Sequence, residues 1–138
     1  MEYWRRGTLQ ALGYRQGYLE PGNYMSSPHW SQLEGLEQHY LLTGDEASRV
    51  AVGRVADVLW GGFHRMLDET TDWENRIQAR VLQSYLLAWR LGASSQHGLN
   101  WSTLLNEGLT MILSTQQADG AYRFADHCNM SLNYMTGT

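Results

Sequence analysis

Between residues 27 and 60, two runs of apolar residues at helical spacing are separated by nothing but Thr43-Gly44-Asp45. In the first run Trp30, Leu33, Leu36, Tyr40 and Leu41 recur three and four residues apart, which places them on one face of a helix over 27–43. Ser27 is its expected cap and Pro28 its first helical residue, where a missing N–H costs nothing. Gly44 supplies a left-handed terminator, and Asp45 at once caps a second helix over 46–60. Ala47, Val50, Ala51, Val55, Val58 and Leu59 of that helix are expected to face inward. A link this short leaves the two helices only one arrangement, an antiparallel hairpin.

The next segment repeats the design. Gly61-Gly62 is expected to break the chain, and Thr71-Asp-Trp-Glu74 has the form of a capping box. It opens a helix over 72–91 with Ile77, Val81, Tyr85, Ala88 and Trp89 on one side. Leu82 to Leu91 is apolar nearly all round, so that half should lie buried between neighbours. Gly92 ends the helix, a polar loop follows, and Asn100 caps a fourth helix over 101–115. Its stripe is Trp101, Leu104, Leu105, Leu109, Ile112 and Leu113. His39-Tyr40-Leu41-Leu42 matches Ser84-Tyr85-Leu86-Leu87 at an offset of 45 residues, and the partner helices match at an offset of 54. A two-helix repeat of this length marks a helical array or a toroid. The remainder is less regular: a short helix over 3–12, an aromatic loop over 13–26, a loop over 116–129 turning at Asp119-Gly120, and the opening of a further helix over 130–138. The reading is a single all-α domain over 1–138, with an irregular segment over 1–26 and hairpins at 27–60 and 72–115.

Composition removes several classes of function. The 138 residues are 43% hydrophobic and only 17% charged, the profile of a folded globule rather than a disordered segment. Net charge is −4 and the longest basic run is Arg5-Arg6, so neither nucleic acid nor an anionic membrane surface is an expected partner. Apolar stretches such as Tyr85 to Trp89 fall far short of the ~20 residues that span a bilayer. The first residues carry no apolar signal segment, and the lone Cys128 fits a reducing compartment, which together make the cytoplasm the expected location. Five histidines show no paired ligand spacing, and His127-Cys128 are adjacent, so their side chains diverge; no metal is expected. No nucleophile elbow, phosphate loop or dinucleotide fingerprint is present, and no cofactor is expected.

Three motifs carry a family resemblance. Tyr40-Leu-Leu-Thr-Gly-Asp-Glu46 resembles the tight turn between inner and outer helix in the six-hairpin (α/α) toroids, which include many glycoside hydrolases and polysaccharide lyases. Gln116-Gln-Ala-Asp-Gly-Ala-Tyr122 is similar to the loop after an outer helix there, and Ser27-Pro-His-Trp30 to the start of an inner one. The resemblance covers roughly residues 26–138, about two and a half of six hairpins. It implies an incomplete toroid-like array whose cleft lies at the rim holding the long loops and the inner-helix N-termini.

That rim would gather Tyr24, His29, Trp30 and Glu34 from the first unit, and Asp72, Trp73, Glu74, Arg76 and Arg80 from the second. Tyr122, Arg123, Asp126, His127 and Asn129 would join them from the third. Each has an architectural use as well. Trp30 and Trp73 suit either a core staple or a sugar platform. Glu34 and Glu74 suit either a capping box or catalysis, and Arg76 with Arg80 form either a solvated stripe or a ligand clamp. As a catalytic pair, Glu34 with Asp72 or Glu74 would act as acid and base on a glycosidic bond. Two functions are therefore expected in competition: glycan binding or processing at the rim, and a non-catalytic interaction module that assembles with copies of itself.

Overall fold

A computed structural model describes Arg15, Pro28, Ser31, 33–64, Leu67 and 75–120, with only the backbone of Asn75 and Arg76. The described residues are all-α. They form α1 (Glu34–Thr43), α2 (Glu46–Phe63), α3 (Asn75–Arg90) and α4 (Trp101–Ser114), each packed against the next in chain order.

The first hairpin turns where its residues demand. Gly44 sits at φ 71°, and its N–H donates to the Tyr40 carbonyl at 2.7 Å. Asp45 then caps α2 through its carboxylate, which accepts from the Ser48 N–H at 3.1 Å. The second hairpin closes differently. Gly92 at φ 59° lets Ala93 N–H reach back to the Ala88 carbonyl and Gly92 N–H to that of Trp89, the paired bonds of a Schellman motif. Asn100 caps α4 by accepting from Thr103 N–H at 3.0 Å.

Two boundaries differ from the sequence reading. α1 begins at Glu34, not at residue 27: Pro28 lies in a turn, and Ser31 and Leu33 are not helical. Pro28 and Leu33 are both buried, although on one helix they would project about 140° apart. Ser27 lies outside the described residues. Gly61-Gly62 does not break the chain either. α2 runs through both to Phe63, because Phe63 packs against the core and neither glycine adopts positive φ. Arg15 has helical backbone where the sequence reads as loop. The Thr71–Glu74 capping box and the helices over 3–12 and 130–138 lie outside the described residues.

One core joins both hairpins. Leu33, just before α1, and Leu36 from α1 meet Ala51, Val52, Val55, Ala56 and Leu59 from α2, with Val81, Tyr85, Leu87 and Ala88 from α3 and Trp101 and Leu104 from α4. Tyr85 stacks on Trp101 with ring centroids 6.0 Å apart. Several residues expected inside are not. Leu41, Val50, Val58, Trp89, Leu109 and Leu113 are exposed, while Val52, Ala56 and the polar Ser48 and Asp57 take interior positions. On α2 the contact with both α1 and α3 draws in Ser48, Val52, Ala56 and Asp57. Asp57 is buried to hold the 94–97 loop: its carboxylate accepts from Ser95 Oγ and from Gln96 N–H.

α1 and α3 run side by side in the same direction. Arg80 Nη1 donates to the Ser31 carbonyl at 3.0 Å, and Gln83 Nε2 to Glu34 Oε1 at 2.8 Å. Arg90 pairs with the buried Glu37 at 3.3 Å. Positions rise together along the two helices, so this polar seam runs parallel while each hairpin is antiparallel.

Candidate functional site

A cleft of about 620 Å³ follows the outward flank of α3 between the start of α1 and the middle of α4. Ala79, Leu82 and Leu86 of α3 with Leu105 and Leu109 of α4 make an apolar floor and wall. Glu34, Arg80 and Gln83 form its polar end. Glu34 is the first residue of α1, where a carboxylate is favoured by the helix dipole, and Gln83 fixes its orientation. Arg80 spends Nη1 on the Ser31 carbonyl, while its buried Nε has no hydrogen-bond partner.

Of the residues expected at the rim, the structure brings Glu34 and Arg80 to this cleft. The backbone of Arg76 lies in the first turn of α3, one turn before Arg80. Tyr24, His29, Trp30, Asp72, Trp73, Glu74, Tyr122, Arg123, Asp126, His127 and Asn129 lie outside the described residues, so Glu34 has no described acidic partner across the cleft. The sequence reading missed the leucine wall. Leu105 and Leu109 share a stripe with Trp101 and Leu104, and spacing alone assigned all of them inward.

Two other clusters mix acids, histidines and hydroxyls. At the first hairpin turn, Ser48 Oγ donates to Asp45 Oδ2 at 2.6 Å and lies 3.1 Å from His39 Nδ1. Arg15 pairs with the same carboxylate. Ser48 is fully buried and its proton goes to Asp45, while His39 turns the same nitrogen toward both partners. A nucleophilic triad needs the two imidazole nitrogens to face opposite partners, so this is a cap cluster without catalytic geometry. The Ser48 hydroxyl bond, with Arg15 behind it, holds the Asp45 carboxyl below its ordinary value against the opposing effect of burial.

The second cluster bolts three helices together. His64, which caps the end of α2, has Nδ1 3.2 Å from the Tyr85 hydroxyl of α3 and Nε2 3.8 Å from Glu107 of α4. Burial pushes the Tyr85 phenol far above its ordinary range, so it stays protonated and serves as a hydrogen-bonding group. Among the described residues no group of three His, Cys, Asp or Glu side chains could hold a metal ion. No described helix is long and apolar enough to cross a membrane. No known protein family, curated protein or solved structure matches the chain.

Proposed function

We propose that the chain is a self-associating helical module, a short array of hairpins that buries its remaining apolar flank against another copy. The observation carrying this reading is the exposed apolar ridge of α4, where Leu109 is 42% exposed and Leu113 56%. Apolar surface left in water is worth ~25 cal/mol per Å² when covered, so a flank of this kind favours association. The parallel seam of α1 on α3 supports reading the array as part of a toroid-like arrangement, in which successive inner helices lie side by side. The lone cysteine suits a cytoplasmic setting. Light scattering on the purified chain is the test. A mass above that of the monomer at tens of micromolar is expected, and a monomer up to the high micromolar range would remove the reading.

A second reading is favoured by the placing of Glu34 and Arg80 in one cleft of ligand-sized volume. In it the rim holds a glycan, with Trp30, Trp73 and Tyr122 as platforms and Glu34 with Asp72 or Glu74 as acid and base. Saccharide should then quench tryptophan fluorescence, and Trp73→Ala should weaken the response. Silence across a broad glycan panel would discard it.

A further inference from the structure

We infer that the cleft flanking α3 binds a small zwitterion with an aliphatic tail: its ammonium meets Glu34, its carboxylate meets Arg80, and its alkyl chain lies along the leucine wall. The inference gives the cleft a ligand class that neither reading above assigns, and it does not depend on whether the chain associates.

Charge decides the head group. Glu34 and Arg80 stand half-buried at one end of the cleft, and each is held by a neutral partner. Glu34 Oε1 accepts from the Gln83 amide, and Arg80 Nη1 donates to the Ser31 carbonyl. Among the described residues no carboxylate pairs with Arg80, and its buried Nε has no hydrogen-bond partner. Further along the same seam Arg90 and Glu37 answer each other at 3.3 Å, so that pair leaves no charge for a ligand. Charges withdrawn from water are stabilised by opposite charges: a guanidinium favours a carboxylate, and a carboxylate favours an ammonium. A ligand of one sign would satisfy one member of the Glu34 and Arg80 pair and repel the other. A head carrying both signs satisfies both.

The wall decides the tail. Every apolar residue described in it is aliphatic, so it offers no ring on which a sugar or a planar base would stack. Between Ala79 and Leu86 it runs along α3 for about 10 Å. That length, with a volume of about 620 Å³, suits an alkyl chain lying beside the helix. Ala79 is the smallest lining residue and is next to Arg80 in the chain, so the tail has room to begin beside the head group.

The test is calorimetric titration of the full chain with α-aminodecanoic acid, decanoic acid and decylamine, with light scattering alongside. The zwitterion should bind at least about tenfold tighter than either singly charged probe. Shortening it to α-aminooctanoic acid should weaken binding about fourfold for each methylene removed. Glu34→Gln, which keeps an acceptor for Gln83, should abolish the preference over decanoic acid. Arg80→Gln should abolish the preference over decylamine. Ala79→Phe should block the tail at unchanged helix content by circular dichroism, and if that variant loses helix content the two charge variants decide. The inference is overturned if the zwitterion shows no saturable binding, if the three probes bind alike, or if neither charge variant alters their order. A monomeric chain that binds the zwitterion removes the self-association reading and leaves this one. An associating chain that ignores the zwitterion does the reverse.

Discussion

Asp45 does three jobs with one carboxylate. It caps α2, accepts the Ser48 hydroxyl and pairs with Arg15, which ties the first hairpin turn to the N-terminal segment. Replacing it with Ala should cost about 1 kcal/mol in urea unfolding, the usual worth of a side-chain cap. The pH dependence has a definite sign. The folded-state value lies below the ordinary 3.8, so the ionised form is favoured by folding. Its contribution is fully present above that value and is lost as pH falls through the depressed folded value. The stability gap between wild type and Asp45→Asn should therefore be constant near neutrality and narrow below about pH 4. A gap that widened on acidification would contradict the bonding described for this carboxylate. The turn was legible in the sequence because Gly44 and Asp45 act locally: each needs only its own backbone and that of the next few residues.

Elements were legible to the extent that their ends are local. Asn100 and Gly92 gave the limits of α4 and α3 within a residue, since a cap and a left-handed glycine answer to their immediate neighbours. Gly61 and Gly62 misled because a glycine weakens a helix by only about 1 kcal/mol, and Phe63 beyond them packs against the core. The facing of α2 was half legible: Ala51, Val55 and Leu59 are inside as expected, but Val50 and Val58 lost their places to Val52 and Ala56 once α3 covered a second flank. The same helix supplies a matched prediction. A Cβ at Gly61 would meet nothing within 4 Å, whereas one at Gly53 would stand 2.8 Å from the Ser94 carbonyl oxygen. Gly61→Ala should raise stability by roughly 0.5–1 kcal/mol through helix propensity alone. Gly53→Ala should lower it by about 1–3 kcal/mol, because the obstructing atom belongs to a backbone that the Asp57 bonds hold in place. Thermal unfolding of the two variants side by side decides this, and equal gains in both would show that the loop gives way freely.

At the scale of the whole molecule, the cleft was hardest to foresee, because it depends on where two helices stop touching. Glu34 and Arg80 were named from their position near inner-helix starts, and that positional logic needs only the order of elements. The leucine wall needed the rotation of α4 about its axis, which follows from how Trp101 docks on Tyr85 and how Gly108 admits the side chains of Leu67 and Leu82. That rotation leaves Leu109 and Leu113 outside the core, and the character of the resulting face fixes how association should answer to salt. An interface held by surface ion pairs weakens as ionic strength rises, since screening reaches about 3 Å at 1 M. An uncharged leucine edge on a chain of net charge −4 behaves in the opposite way: salt screens the repulsion between whole molecules and leaves the apolar contact untouched. The dissociation constant for self-association should accordingly hold steady or fall between about 0.05 and 1 M sodium chloride. A steep rise over that range, measured by sedimentation, would mean that charged groups and not the α4 edge carry the contact.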